Sequence, residues 1–410
     1  MPGNGACVPI SGIQCANRSG ARPGAGPARR KHIPKYPIPP TSFRQERKLF
    51  LPEKRKSKMR KRITLSLLVL VLCFSSVLTS CGVLAFIDKS VIEQNDNPSS
   101  VSAFESESDP IPDDKKLAPS GSGDVSEPLF WKVSGNGYEG DFYLLGSIHV
   151  GLVDTNLYPD EIYDAYNSCA YLAVESDVIS LERDTNAQIE MMKMFIYTDS
   201  TTISAHIDKD LYKTARGVLD HFGYYNSMMD YYFPVIWSQI IDQALTEESR
   251  FSSDFGVDRY FLKNSEKLGI EILEIEDYME TEYAFATLSE STQELLLSST
   301  VDPEYIKNYS SSLEELYDAW KYGKTDVLDD LLFSEDDEEV TDEEKAAAEE
   351  YNNAMTVVRN KLMVERASEY LRDHKNVFYV VGLAHMLGDD GLVASLENRG
   401  YTVSQISYAD

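Results

Sequence analysis

An octet that occurs twice limits what this chain of 410 residues can fold into. Residues 142–149 read FYLLGSIH and residues 378–385 read FYVVGLAH, so Phe, Tyr, Gly and His recur at the same positions. In each copy, an aromatic and β-branched run predicts a buried strand. The glycine that follows permits a sharp turn or a close approach by another group. The sequence therefore predicts two similar strands that each end near a histidine.

The place of the two histidines indicates a ligand site. His149 and His385 each stand three residues after a glycine, Gly146 or Gly382, at the predicted end of a strand. In open α/β sheets, ligands bind at this carboxyl edge. A single Gly-x-x-His is more often structural. However, the chain has only six histidines and carries the whole segment twice, which favours a shared site.

Charge is distributed unevenly along the chain. Residues 1–62 contain 16 Lys and Arg against two Glu, while the whole chain carries a formal charge of −28. Everything after residue 62 therefore carries about −42. Because nucleic-acid binding relies on Lys and Arg that neutralise phosphates, we expect no nucleic-acid partner. Such an acidic part suits solubility outside a cell, or cationic partners.

The first part of the chain predicts secretion and membrane attachment. Residues 1–58 are basic, rich in Pro and Gly, and without apolar periodicity, which predicts a disordered extension. If translation starts at Met59, this extension is not part of the protein. Residues 59–80 have the basic, apolar and small-residue regions of a signal peptide. They end in a sequence like the bacterial lipobox, so we expect Cys81 to carry the lipid.

An alternative is that residues 63–87, a run almost free of charge, remain as a transmembrane helix. Either way, we expect attachment to the cell membrane, with the acidic part on the extracellular face of a bacterium. Residues 81–127 are rich in Ser, Asp, Pro and Gly and predict a tether and acidic linker. Residues 128–410 then form the folded domain, which is long enough for one large core.

The domain reads as α/β, with α+β character in its middle. A β-hairpin is expected within residues 129–146, then a helix and a strand over residues 171–176 that contains Glu175. Residues 377–406 repeat a strand, helix and strand, while residues 181–333 are mostly helical by periodicity. We therefore expect a central sheet built from two pseudo-symmetric βαβ-containing halves, with a largely helical insert.

A long helix is predicted before the second histidine. Thr341 and Glu344 have the spacing of a capping box, which opens a helix to about His374. The acidic run at residues 335–350 lacks the ligand spacing of a calcium loop, so we expect a solvated surface there.

Two imidazoles and a carboxylate are a common ligand set for a catalytic metal. His149, His385 and Glu175 would suit zinc, manganese, iron or cobalt with open positions. Alternatively, Glu175 is a general base that activates water with no metal. Asp177 would lie on the same strand face as Glu175 and support a ligand. Since Cys169 is the only cysteine in the folded part, no disulfide framework is expected.

A series of further motifs follows in order along residues 129–408. They are LGSIHVG at 145–151, VESD at 174–177, FGVD at 255–258, ILEIE at 272–276, WKYG at 320–323, VRN at 358–360 and VGLAHMLGDDGL at 381–392. This series resembles the TraB/GumN family. Relatives of that family include the Tiki membrane-tethered metalloproteases and, more distantly, erythromycin esterase-like and ChaN-like proteins.

The resemblance implies an α/β fold with His149, Glu175 and His385 as the site. Further polar positions of the family match Asp258, Arg359 and Asn360. By itself, Arg359 would read as an exposed charge on the long helix. With the resemblance, it becomes a catalytic residue that binds a substrate carboxylate or an oxyanion. Asp258 and Asn360 are expected to support the metal ligands or bind substrate.

Three functions remain open from the sequence. The first is a membrane-tethered, metal-dependent hydrolase of peptides or proteins, as the resemblance to Tiki proteases implies. The second is a non-catalytic protein that binds or sequesters a peptide, since TraB-like members are associated with the shutdown of peptide pheromones. The third is a haem or metal carrier. The presence of His149, Glu175 and His385 together favours the hydrolase.

Overall fold

The computed structural model describes residues 116–119, 121–333 and 341–408, and a mixed sheet of six strands lies at its centre. The strands are β1 (Phe130–Gly135), β2 (Tyr138–Ser147), β3 (Tyr171–Val174), β4 (Glu271–Glu274), β5 (Val377–Gly382) and β6 (Thr402–Gln405). Their order across the sheet is β4-β3-β5-β2-β1-β6. The first four strands in this order run parallel, and β1 is antiparallel to both of its neighbours.

Helices surround this sheet, so the predicted α/β class is confirmed. They are α1 (Asp160–Ser168), α2 (Val178–Arg183), α3 (Thr185–Met194), α4 (Lys209–Phe222), α5 (Pro234–Glu248), α6 (Val257–Leu268), α7 (Tyr278–Ala286), α8 (Glu290–Thr300), α9 (Pro303–Lys321), α10 (Thr325–Phe333), α11 (Asp342–Asn352), α12 (Val358–Arg372), α13 (Leu383–Met386) and α14 (Leu392–Asn398). Turns of 3₁₀ helix lie at Ile203–Ala205, Met229–Tyr231 and Ser253–Phe255, and a π turn lies at Asn353–Val357. The predicted helical middle is therefore present, with β4 within it.

The two copies of the repeated segment lie side by side as the parallel neighbours β2 and β5. Their register is displaced by one residue, because Gly146 pairs with Val381 and Gly382 pairs with Ser147. Side chains alternate between the two faces of a strand, so this displacement turns equivalent side chains to opposite faces. The repeated Phe and Tyr thus serve both faces of the sheet.

The aromatic contacts follow this division. Phe378 packs with Phe130 on one face, where it also meets Phe261 of α6 at a ring-centroid distance of 4.9 Å. Phe142 packs on the other face against Tyr379, at 5.8 Å. Every residue of β5 is buried, as expected for a parallel strand covered by helices on both faces.

The strand order differs from the simplest reading of the sequence. Adjacent βαβ strands would place β3 beside β2, but β5 lies between them and pairs with both. In the same way, β2 and β1 separate β5 from β6. β5 comes from near the end of the chain. The second copy of the repeated segment is therefore a central strand of the sheet, between β2 and β3.

The helix before β5 begins as the capping box predicts. Thr341 accepts a hydrogen bond from the Glu344 N–H, and the Glu344 carboxylate accepts one from the Thr341 N–H. The helical run then passes through the π turn at Asn353–Val357 and ends with α12 at Arg372. This π turn directly precedes the segment that carries Arg359 and Asn360.

Within residues 116–119, 121–333 and 341–408, no helix is both long and apolar enough to span a membrane. The predicted disordered extension at residues 1–58, the signal peptide at residues 59–80 and Cys81 lie outside these residues. The membrane anchor therefore stays a prediction.

Candidate active site

Four parallel strands bring polar residues to one edge of the sheet. His149 follows β2, Glu175 follows β3, Glu276 follows β4, and His385 follows β5 within α13. This is the carboxyl edge, where open α/β sheets form their ligand sites. The edge predicted from the two histidines is therefore present, with an additional carboxylate.

Gly382 is the point around which these side chains converge. A Cβ atom at this position would lie 3.2 Å from Glu175 Oε1, 3.3 Å from His149 Nε2 and 3.6 Å from His385 Cδ2. The three predicted ligands thus share one small space, which exists because Gly382 has no side chain. Gly146, its counterpart, has another role. Its missing Cβ leaves room for Leu383, and its carbonyl accepts a hydrogen bond from Trp320 Nε1 at 2.8 Å.

His149 is oriented by Asp258. Its Nδ1 lies 2.7 Å from Asp258 Oδ2, which places the ring beside a carboxylate. The close approach of Gly256 makes this pair possible, because a Cβ there would lie 2.5 Å from the His149 carbonyl oxygen. The Val257 N–H then donates to the Ile148 carbonyl at 3.0 Å, which fixes the start of α6 beside the histidine.

His385 is oriented by Asn360. The Asn360 Nδ2 donates to the Asp390 carbonyl at 3.0 Å, so its Oδ1 faces His385 Nδ1 at 2.6 Å. His385 Nδ1 therefore carries the hydrogen, and Nε2 presents a lone pair. Nε2 is buried and has no hydrogen-bond partner among the described residues. Burial, with a contribution from Arg359, lowers the pKa of His385 to about 3, so the ring is neutral.

Glu175 is held as a carboxylate. Its Oε1 accepts a hydrogen bond from the Gly382 N–H, and its Oε2 accepts one from Arg359 Nη2, both at 2.6 Å. Burial acts to raise the pKa of Glu175, but the Arg359 guanidinium outweighs it with help from the nearby histidines and the Gly382 N–H. The pKa falls to about 2. Glu175 is therefore ionised throughout the physiological range.

Arg359 joins two carboxylates. Besides Glu175, it binds Glu276, with Nε 2.9 Å and Nη2 2.7 Å from Glu276 Oε2. All three side chains are buried, and the Glu276 N–H also donates to the Glu175 carbonyl at 3.0 Å. Burial raises the pKa of Glu276, with Glu175 adding to the effect and Arg359 opposing it. Arg359 thus binds carboxylates of the protein, where the sequence predicted a substrate group.

Glu276 is a site residue that the sequence reasoning missed. It lay within one of the family-like motifs but received no role. The position of Glu276 indicates this role, because Glu276 follows β4 as Glu175 follows β3. Parallel neighbours place such residues side by side.

Asp177 is the predicted residue that the structure does not bring into this group. Its side chain caps α2 by accepting hydrogen bonds from the Ser180 N–H at 3.0 Å and the Ser180 hydroxyl at 2.7 Å. The strand ends at Val174, so the two-residue alternation that would align Asp177 with Glu175 no longer applies.

A small cavity opens beside these groups. Its volume is about 40 Å³, and it is lined by His149, Glu175, Ser176, Val178, Gly256, Asp258, Arg259, Glu276, Tyr278, Thr281 and Arg359. A water molecule needs roughly 10–15 Å³ of such volume, so the cavity has room for water. A peptide is too large for it, and a scissile bond would have to meet the cavity at its mouth.

Comparison with known families matches the TraB/PrgY/gumN family to residues 129–405. The chain belongs to the TraB/PrgY/gumN family. The match begins just before β1 and ends with β6, so it includes all the groups that meet at the sheet edge. Neither a curated protein nor a solved structure matched the chain.

The donors in this TraB/PrgY/gumN domain suit a divalent metal by their chemistry. Two imidazoles, each with Nδ1 close to a side-chain oxygen, and a carboxylate beside them are the usual arrangement of such ligands. The buried Nε2 of His385 is an electron-pair donor that lacks a partner among the described residues. Within those residues, however, no three His, Cys, Asp or Glu side chains have the spacing of a metal centre.

Proposed function

We propose that the chain is a hydrolase of peptides that uses a divalent metal, with His149 and His385 as its main ligands and Glu175 beside them. Manganese, cobalt, zinc and iron all suit this donor set. The observation that supports it most is the state of His385, a neutral buried imidazole whose Nε2 lone pair has no partner among the described residues. Leaving such a group unsatisfied costs about 1–3 kcal/mol, which a ligand would relieve.

The residues around this space have separate tasks in the proposal. The metal would make a water molecule more acidic and polarise a carbonyl. Asp258 and Asn360 lie against Nδ1 of the two imidazoles, and the contact with Asn360 leaves Nε2 of His385 without a hydrogen. Arg359 keeps Glu175 ionised and in place. With its pKa lowered to about 2, Glu175 suits a ligand or a hydrogen-bond acceptor better than a proton carrier.

A peptide substrate is supported by the resemblance to the Tiki proteases and by charge. The part of the chain after residue 62 carries about −42, which favours neutral or cationic substrates over anionic ones. The small cavity admits the reacting water and leaves the substrate at its mouth.

Metal content tests this proposal directly. We expect about one divalent metal per full-length chain by inductively coupled plasma mass spectrometry, and loss of it in His149→Ala and His385→Ala. His221→Ala is the matched control, because His221 is exposed on α4 and distant in sequence from the motifs. A mixed library of quenched fluorescent peptides should be cleaved by the wild type, and a chelator should stop cleavage.

Two results would contradict the metal. The first is no bound metal at any added concentration; the second is equal metal content in the wild type and both histidine variants. Circular dichroism of each variant must match the wild type, since His385 is 1% exposed and its loss also removes packing.

A second candidate is hydrolysis without a metal, and the His149–Asp258 pair favours it. An imidazole whose Nδ1 lies 2.7 Å from a carboxylate oxygen is a candidate general base. Its Nε2 would take a proton from water directly. Cleavage that survives the chelator but is lost in His149→Ala and Asp258→Asn would select this candidate.

We also propose that the domain is tethered to the cell membrane through lipid on Cys81 and faces the outside of the cell. The lipobox-like end of the predicted signal peptide supports this. The linker at residues 81–127 would then separate the domain from the membrane surface.

A further inference from the structure

One arginine on the wall of the cavity has no role so far. Arg259 lies in the first turn of α6, lines the cavity together with Asp258, and is 8% exposed. A guanidinium keeps its charge at every physiological pH, so a buried one needs acceptors for its N–H groups. The hydrogen-bond partners of Arg259 therefore indicate what this part of the cavity can bind.

Glu182 of α2 occupies one edge of the Arg259 guanidinium. Its Oε2 accepts a hydrogen bond from Nη1 at 2.9 Å, and its Oε1 accepts one from Nη2. The Nε–H of Arg259 has no acceptor among the described residues. Unlike the buried, unpaired Nε2 of His385, this Nε retains contact with open space. The second edge of Arg259, formed by Nε and Nη2, is therefore available to a ligand.

Arg359 shows what such an edge binds. In Arg359, Nε and Nη2 together bind the carboxylate of Glu276, and Nη2 also reaches Glu175. The same edge of Arg259 meets no protein carboxylate among the described residues. The two arginines of the cavity thus differ in their use. Arg359 binds carboxylates of the protein, whereas Arg259 can bind an oxygen of a substrate.

Arg259 also lies where a substrate can reach it. The side chain of its partner, Glu182, is 24% exposed, whereas that of Glu276 is 3% exposed. The pair of Arg259 and Glu182 therefore extends from the cavity to the protein surface. The adjacent carboxylate, Asp258, lies 2.7 Å from His149 Nδ1 and does not occupy the second edge of Arg259.

We propose that Arg259 is a further catalytic residue, which donates hydrogen bonds to the carbonyl oxygen of the scissile peptide bond. This rests on the hydrolase function proposed above. That oxygen becomes negatively charged when water adds to the carbonyl carbon, and a fixed guanidinium stabilises the charged oxygen more than the neutral one. Glu182 holds the guanidinium in place and is the positioning residue for Arg259.

Arg259 keeps all of its protons during the reaction. The water oxygen forms a bond to the carbonyl carbon, and the π electron pair of the carbonyl moves to the oxygen that Arg259 contacts. This pair then restores the carbonyl as the carbon–nitrogen bond breaks. One proton of the water is transferred to the leaving nitrogen, so the products are a carboxylic acid and an amine.

The turnover of arginine variants tests this role. With full-length protein and the best-cleaved peptide of the quenched library, Arg259→Gln should lower kcat about 100-fold, while KM changes less than about threefold. Arg259→Lys should also lose most of the activity. Its ammonium keeps a positive charge beside Glu182, but it cannot present two planar edges at once.

Arg183→Gln is the matched control. Arg183 pairs with Glu266, so this pair joins α2 to α6 as Arg259 and Glu182 do, but the Arg183 side chain is 63% exposed. The variant should keep the wild-type kcat. If Arg259 only joined the two helices, Arg259→Gln would lower the free energy of unfolding in urea without changing the kcat of the folded protein. Wild-type kcat in Arg259→Gln would therefore overturn the proposal.

Arg259→Lys keeps the test decisive if Arg259→Gln does not fold, because lysine can still pair with Glu182. Circular dichroism and urea unfolding should then show a folded Arg259→Lys variant with a low kcat. Wild-type kcat in this variant would equally contradict the proposal, since a bound edge would not be needed.

Formate gives a readout that needs no cleavage. It carries an oxygen anion like that of the transition state, and it is small enough for a cavity of about 40 Å³. In ¹⁵N-labelled full-length protein, formate should shift the Nε–H resonance of Arg259 in a saturable way. Arg259→Gln identifies this resonance by its absence. The Arg183 resonance should change no more than in a chloride titration.

The two readouts separate this proposal from the hydrolase function. If no library peptide is cleaved by the wild type, the hydrolase proposal fails, and the formate titration alone decides whether Arg259 binds an oxygen ligand. Absence of a saturable shift at Arg259 would overturn the proposal even if peptides are cleaved.

Discussion

At the scale of single residues, the site depends on Gly382, which has no side chain. The two imidazoles and the carboxylate of Glu175 approach each other only where Gly382 leaves space, while Asp258 and Asn360 set the orientation of the rings. The repeated glycine therefore has two different uses. Gly382 makes room for the functional groups, and Gly146 makes room for Leu383.

Gly382→Ala should disrupt the site while the fold persists. Its methyl group would lie 3.2 Å from Glu175 Oε1 and 3.3 Å from His149 Nε2, closer than such contacts usually are. The backbone at Gly382 has φ −49°, which alanine accepts, so the strain falls on the side chains. We expect metal content and peptide cleavage to fall at least about 10-fold, corresponding to roughly 1.4 kcal/mol.

Gly217→Ala is the matched control for this change. Gly217 lies within α4, and a Cβ there would meet nothing within 4 Å. Alanine in a helix interior is more favourable than glycine by about 1 kcal/mol, so this variant should be slightly more stable and equally active. Unchanged metal content and cleavage in Gly382→Ala would show that the three side chains do not act as one site.

At the scale of elements, α5 is buried along almost its whole length although it carries polar residues. Asp242 is 1% exposed, and its Oδ1 accepts a hydrogen bond from the Tyr305 hydroxyl at 2.6 Å. Its Oδ2 has no hydrogen-bond partner within the described residues. Burial raises the pKa of Asp242 to about 8, so the folded protein keeps this group protonated at neutral pH.

The state of Asp242 predicts how stability depends on pH. In the unfolded chain an aspartic acid loses its proton near pH 4, whereas the folded protein retains it to about pH 8. The folded state therefore binds more protons between these values, and stability falls as pH rises through them. Each pKa unit is worth about 1.4 kcal/mol, so the loss amounts to several kcal/mol.

Asp242→Asn should remove most of this dependence. The amide oxygen can still accept from Tyr305, and no charge has to be buried. We expect urea unfolding to show a variant more stable than the wild type at pH 8, with a smaller difference at pH 5. Asp220→Asn, at an exposed position of α4, should match the wild type at both values. Equal stability of Asp242→Asn and wild type at pH 8 would show that Asp242 is not strained by burial.

At the scale of the whole molecule, positive and negative charges lie in different parts of the chain. The basic residues precede the predicted signal peptide, and the acidic residues follow it. Lysine and arginine remain on the cytoplasmic side of a membrane segment, which would leave the TraB/PrgY/gumN domain outside.

Cys81→Ser tests this arrangement. If Cys81 is lipidated, mass spectrometry of the membrane fraction should find a wild-type chain that begins at a diacylated Cys81. The variant should keep residues 59–80 and be correspondingly larger, because the lipid must be attached before cleavage. Cys73→Ser is the control within the apolar region and should be processed as the wild type. Equal masses for the wild type and Cys81→Ser would instead favour the transmembrane alternative.

Local pattern was enough to locate much of this architecture. The alternation and composition of residues 142–149 and 378–385 predicted two buried strands, and the glycines marked where these strands end. The capping box at Thr341 and Glu344 predicted the start of α11, because each side chain accepts a hydrogen bond from the backbone N–H of the other residue. Such features depend on neighbours within a few residues, and the sequence contains those neighbours.

The α/β class, the carboxyl edge of the sheet and the histidines that lie there therefore follow from local pattern alone. Three features depend on long-range packing instead: β5 lies between β2 and β3, Arg359 joins Glu175 to Glu276, and Asp177 caps a helix. Periodicity specifies which face of a strand is buried, but it does not specify which strand lies beside it. Neighbours in the sheet are chosen by packing between segments that lie far apart in the chain, and the contacts of the site follow from that choice.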